Sequence, residues 1–184
     1  MSTETDTEKA YSFRELHAEV NRMAAILKGL GVGKGDRVLI YMPMIAEACF
    51  AMLACVRIGA IHSVVFGGFA SHALASRIDD ARPVAIISAD AGMRSGKVVP
   101  YKHLLDEAIS LSSHKPAKVL MVNRGLADLA PVPGRDVDYA SERARVIDAQ
   151  VPCEWVDSTH PSYILYTSGT TGKPKGVQRD TAGY

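Results

Sequence analysis

Polar and charged positions fill Met1 to Ala10, and the pattern changes at Tyr11. Leu16, Val20, Met23, Ile26, Leu27 and Leu30 then recur at helical spacing. Ser12 stands just ahead of that stripe with Glu15 three residues on, which predicts a capping box at the start of a helix. Gly29, Gly31, Gly33 and Gly35 stop it. The run Asp36–Met42 reads as a buried strand closed by Pro43, Ile45–Ile58 as an apolar helix closed by Gly59, and Ala60–Phe66 as a second strand before Gly67-Gly68. Further on, the pattern predicts a helix from Ser71 to about Ala81, a strand over Pro83–Ser88 and a helix over Val98–Ser113. It then predicts a strand over Ala117–Val122, a surface loop over Asn123–Asp138, a helix over Asp138–Ala149 and a strand over Ser162–Thr167.

Short strands, β-branched and apolar on both faces, alternate with helices. The expected fold is α/β, part of a mainly parallel, doubly wound sheet with helices on both sides. Ligands of such sheets sit in loops at the carboxyl ends of the strands. The chain stops at Tyr184, close behind its most distinctive loop. The expected organisation is therefore a flexible tail over 1–10 and a partial domain over 11–184, truncated after that loop. A sheet cut at its edge is expected to be marginally stable.

Composition narrows the class. Apolar residues make up 47% of the chain, enough for a core. Lys and Arg number 21 against 20 Asp and Glu, a net charge of +1, which disfavours a nucleic-acid binder. Cys49, Cys55 and Cys153 are odd in number and form no C-x-x-C pair, which fits a reducing, cytoplasmic setting without disulfides. Cys49 and Cys55 lie in an apolar helical run and are expected to be buried. No secretory h-region precedes Ala10, and the longest apolar run, Ala48–Val56, is shorter than the ~20 residues a bilayer requires, so no membrane partner is expected. The histidines show no metal-ligand spacing. His62, inside an apolar strand, is expected to be a satisfied core histidine, and Trp155 a packing residue.

The chemistry concentrates in Tyr166-Thr167-Ser168-Gly169-Thr170-Thr171-Gly172-Lys173-Pro174-Lys175-Gly176. Glycines let the backbone turn tightly and bring N–H groups near a ligand. Thr167, Ser168, Thr170 and Thr171 offer hydroxyls, Lys173 and Lys175 positive charge, and no acid intrudes. That donor set suits a polyphosphate. It is not a Walker A loop, because Gly172-Lys173 is followed by Pro174 and the Gly169–Gly172 spacing is too short. A polar surface loop of the same composition is the competing account.

This string resembles the signature of the adenylate-forming superfamily, which includes acyl-CoA synthetases, luciferases and peptide-synthetase adenylation domains. Gly59–Phe69 and Tyr11–Ala25 resemble the acetyl- and propionyl-CoA synthetases, and Val177–Asp180 resembles the propionyl group more than the acetyl. The likeness covers nearly the whole chain from Tyr11. It implies an AMP-forming ligase that activates a short carboxylate with ATP and passes the acyl group to coenzyme A, releasing AMP and pyrophosphate. Thr167, Ser168, Gly169, Thr170, Thr171, Gly172, Lys173, Lys175 and Gly176 would grip the ATP phosphates, with Mg2+ accompanying the nucleotide. Arg94, Ser95, Gly96 and Lys97 match the family's coenzyme A contact, with Lys97 where the family has a second arginine. The resemblance assigns no catalytic residue to this chain, and the family's catalytic lysine belongs to a later domain. Propionate is the expected acid. Acetate, or a non-catalytic nucleotide-binding remnant, is the alternative.

Overall fold

The three-dimensional structure is a computed structural model, and it describes residues 8–167 and 174–183. Helix α1, Phe13–Gly29, starts where the capping box places it. The Ser12 amide donates to Glu15 Oε2 at 2.7 Å, and the Glu15 amide donates to Ser12 Oγ at 3.3 Å. Gly31, at φ 88, turns the chain toward β1, Arg37–Met42. There follow α2 (Ala46–Arg57), β2 (Ile61–Phe66), α3 (Ser71–Ala81) and β3 (Ala85–Ala89). A hairpin of β4 (Gly92–Arg94) and β5 (Lys97–Val99) precedes α4 (Tyr101–Leu111) and β6 (Lys118–Val122). The chain continues through β7 (Asp136–Asp138), α5 (Tyr139–Arg145), β8 (Pro161–Thr167) and β9 (Lys175–Asp180).

Among the described residues one sheet has the order β7-β6-β3-β1-β2-β8-β9. Every neighbouring pair is parallel except β8 with β9. The expectation of a mainly parallel α/β sheet is met. β1 shows why both faces are apolar. Val38 and Ile40 pack with Leu27, Ala51 and Cys55 under α1 and α2. Leu39 and Tyr41, alternating with them, pack with Leu74, Ile78 and Leu105 under α3 and α4.

Several expectations are corrected. The helix expected from Val98 begins at Tyr101, because Val98 and Val99 pair with Met93 and Gly92 and Pro100 has no N–H to continue a helix behind them. The segment read wholly as loop supplies β7, an edge strand drawn in by charge. Lys102 of α4 lies 3.1 Å from Asp136, and both side chains are almost fully buried. Arg135 adds a bond to Asp136 at 2.6 Å. The helix expected to reach Ala149 ends at Arg145. Beyond it Asn21 Oδ1 accepts from the Val151 amide at 2.8 Å, tying an extended segment to α1. Cys55 is buried, but Cys49 lies on the exposed side of α2. Trp155 is 90% exposed rather than packed. Of the expected tail, residues 1–7 lie outside the described residues, and Lys9 sits over the Tyr11 ring at 4.7 Å.

Candidate functional site at the carboxyl edge of the sheet

Because the strands from β6 to β8 run parallel, Val122, Ala89, Met42, Phe66 and Thr167 all end at one edge. The loops that follow them form a continuous rim.

The β4–β5 hairpin stands on this rim just after β3. Its two-residue turn, Ser95 at φ 50 and Gly96 at φ 75, is the left-handed pair that suits a tight hairpin. The turn sets Arg94 opposite Lys97, with both side chains exposed. The segment that the sequence reading placed in a loop is thus a hairpin, with its turn at Ser95-Gly96. Asp90 fixes the hairpin's base. It is fully buried and accepts from the amides of Arg124 at 3.0 Å, Leu126 at 2.7 Å and Ala127 at 3.2 Å. The Asp90 carbonyl also accepts from the Lys102 amide at 3.1 Å.

From the hairpin the Arg94 guanidinium reaches over the Phe66 ring, 5.8 Å from its centroid. Gly68 permits this approach. A Cβ there would overlap the Phe66 ring and lie 2.7 Å from Arg94 Nη1. Phe66 is 62% exposed. Phe69 meets Phe66 edge-on at 6.0 Å, and its carbonyl accepts from the Tyr41 hydroxyl at 3.2 Å. Sequence reading did not single out Phe66 or Asp90. The Gly67-Gly68 pair after an apolar strand was the available signal of close approach.

At the other end of the rim, β8 and β9 form the stem of the Gly/Thr/Lys loop. Thr167 pairs with Lys175 and Tyr166 with Gly176. Of the candidate phosphate contacts, Thr167, Lys175 and Gly176 therefore sit at the stem. Ser168, Gly169, Thr170, Thr171, Gly172 and Lys173 lie outside the described residues. The Tyr166 hydroxyl donates to Asp80 Oδ2 of α3 at 2.6 Å. Burial and that bond push its pKa well above the ordinary phenol value, so it stays a donor.

Between β2 and β8 an apolar groove of ≈ 690 Å³ opens beside α2, with Cys49, Met52, Val64 and Leu165 on its walls. His62 lines it, stacked on Tyr163 at 5.6 Å. Its side chain is buried as expected, but Nδ1 has no hydrogen-bond partner among the described residues. Burial lowers its pKa to about 4, so the ring is neutral at pH 7. No cluster of His, Cys, Asp or Glu fit to hold a metal occurs among the described residues. Among the same residues no helix is long and apolar enough to cross a membrane.

Comparison with known proteins gives the family. The family described as AMP-binding enzyme matches residues 2–184. The chain belongs to that family. It is 65% identical over 184 residues to the propionate–CoA ligase of Escherichia coli strain K12, covering 100% of this chain and 29% of that one. It is 52% identical over 180 residues to the acetyl-coenzyme A synthetase of Methylobacterium radiotolerans, covering 97% of this chain and 28% of that one. Among solved structures, the acetoacetyl-CoA synthetase from Streptomyces lividans superposes with a TM-score of 0.86 at 28% identity, over 97% of this chain and 27% of that chain. The chain thus spans less than a third of the length of these relatives. The α/β fold matches that of the AMP-binding family.

Proposed function

We propose that this chain is the ATP- and coenzyme A-gripping part of an AMP-forming acid–thiol ligase whose acid is propionate. The observation that carries the proposal is the shared rim. A basic hairpin and the stem of a Gly/Thr/Lys loop stand at one sheet edge, joined by the exposed Phe66 surface. The 65% identity to a relative named propionate–CoA ligase supports the choice of acid. The 52% identity to an acetyl-coenzyme A synthetase favours acetate as the second reading.

In the proposed reaction the acid's carboxylate attacks the α-phosphorus of ATP, and pyrophosphate leaves. The thiol of coenzyme A then attacks the acyl carbon of the adenylate, and AMP leaves. Thr167, Ser168, Gly169, Thr170, Thr171, Gly172, Lys173, Lys175 and Gly176 hold the β- and γ-phosphates. Their task is electrostatic: Lys173 and Lys175 neutralise the charge that accumulates on the leaving pyrophosphate. Mg2+ enters on the phosphate oxygens of ATP, as part of the substrate. Arg94, Ser95, Gly96 and Lys97 receive the phosphates of coenzyme A, and Phe66 offers a flat face for its base. Arg94 can fork two phosphate oxygens, whereas Lys97 supplies a point charge. No catalytic residue is assigned within the chain, residues 11–184 form part of a larger domain, and the setting is cytoplasmic, with no nucleic-acid or membrane partner.

The test is a chimera. This chain replaces the matching segment of the E. coli propionate–CoA ligase, and acyl-CoA formation is assayed, propionyl-CoA from propionate and acetyl-CoA from acetate. Activity is expected, with propionate preferred. Lys175→Ala should lower kcat by about tenfold or more, the cost of a lost transition-state donor. Arg94→Ala should raise KM for coenzyme A about tenfold, in line with one charge-assisted contact. The 184-residue chain alone is expected to form no thioester. A folded but inactive chimera would refute the proposal.

A further inference from the structure

The stem of the phosphate loop is gripped from the side by α3. Arg77 and Asp80 stand one helical turn apart, and both address Tyr166, the residue just before Thr167. The Arg77 guanidinium lies 5.3 Å from the Tyr166 ring centroid and 4.3 Å from that of Phe69, while its Nη1 donates to the Ala73 carbonyl at 2.6 Å. Arg77 is buried, and the two rings and this carbonyl are the partners that hold its charge there. Asp80 accepts from the Tyr166 hydroxyl at 2.6 Å. On the partner strand, a Cβ at Gly176 would lie 3.2 Å from both Asp80 Oδ2 and Tyr166 Cε1. A larger residue would press the latch apart.

The same arginine joins the two ends of the rim. Arg94 covers Phe66, Phe66 meets Phe69, Phe69 stacks on Arg77, and Arg77 covers Tyr166. Each link is a direct ring contact, so displacement at the hairpin has an unbroken packed route to the stem.

We infer that Arg77 and Asp80 are positioning residues for the phosphate loop, holding Tyr166 by ring and hydroxyl and so fixing where β8 delivers Thr167. The inference rests on the proposed phosphate-gripping role of the loop that follows. Both act through Tyr166. Their effect is to hold the loop's origin against the sheet, so that binding does not have to order it.

The test uses the 184-residue chain with Tyr166→Phe, Asp80→Asn, Asp80→Glu and Arg77→Lys. Two quantities are read: hydrogen exchange at the amides of 163–167 and 175–180, and affinity for pyrophosphate by calorimetry. Tyr166→Phe keeps the ring over Arg77 and removes only the hydroxyl. It should speed exchange in the stem about fivefold and weaken pyrophosphate binding by a similar factor, the size of one net hydrogen bond. Asp80→Asn keeps a neutral oxygen acceptor and should loosen the stem less than Tyr166→Phe, Asp80→Glu keeps the charge and should stay nearer the unaltered chain, and exchange in β1 and α1 should not move. Arg77→Lys keeps charge but loses the planar contact, and should loosen the stem as well. Stem exchange and affinity unchanged in both Tyr166→Phe and Asp80→Asn would overturn the inference. If the unaltered chain binds no pyrophosphate, the phosphate-gripping reading fails, and stem exchange alone then decides whether the latch exists.

Discussion

Replacing His62 by Phe should make the protein's stability less sensitive to acid. His62 is 4% exposed, stacked on Tyr163, and its Nδ1 lacks a partner among the described residues. Burial lowers its pKa from 6.5 to about 4. The folded chain therefore binds this proton less readily than the unfolded chain. The contribution is fully present above the unfolded value near 6.5 and is lost as pH falls toward the folded value. Linkage over that window gives a loss of about 2 kcal/mol by pH 5 and about 3 kcal/mol near pH 4. Other groups titrate over the same range, so the quantity to measure is a difference. Urea unfolding free energies of the unaltered chain and His62→Phe are compared at pH 7 and pH 5. Phe fills the same slot without a titrating nitrogen. The stability gap should shift by about 2 kcal/mol in favour of the variant on going to pH 5. A gap that stays constant with pH would refute the view that burial in the fold holds His62 neutral.

Asp90→Ala should destabilise the chain by about 3 kcal/mol or more, since three backbone donors lose a charged acceptor, and chemical denaturation would read it. A change under 1 kcal/mol on that scale would mean that the Arg124–Ala127 turn does not depend on the carboxylate. With a thiol reagent, Cys49 and Cys153 should react in the native state, whereas Cys55 should react only on unfolding, because burial pushes its thiol up to about 12. Rapid labelling of Cys55 under native conditions would count against the packing of α2 on β1.

The doubly wound core was legible because its apolar positions obey one rule. In β1, Val38 and Ile40 face α1 and α2 while Leu39 and Tyr41 face α3 and α4, so these four central positions are all apolar. Where a partner rather than a periodicity decides, the sequence was silent. β9 reads Lys175-Gly176-Val177-Gln178-Arg179-Asp180, exposed throughout, and is a strand only because β8 offers it an edge. β7 depends on Lys102 and Arg135 reaching Asp136. Val98 and Val99 read as the start of a helix but form a strand, because the turn at Ser95-Gly96 folds them back onto Met93 and Gly92. At the candidate site, the order of residues drew attention to the loop and to Arg94. Arg77 and Asp80 passed as ordinary helix polars, since nothing in α3 says that Tyr166 lies beside them. Trp155 and Cys49 were assigned to the interior by residue type, but each lies on a surface that type alone does not specify.

The ladder pairing of Thr167 with Lys175 has a further consequence for how the loop between them tolerates change in length. The two ends are already held side by side, so closure is secured by the strands whatever the intervening residues are. The entropy of closing such a loop grows only with the logarithm of its length, roughly 0.6 kcal/mol for a doubling. Added residues would therefore leave the fold almost as stable as before and would act instead on reach, shifting the hydroxyls and Lys173 relative to the stem. On the proposed phosphate-gripping role, the length of this segment answers to the dimensions of the ligand, with thermodynamic stability nearly indifferent to it.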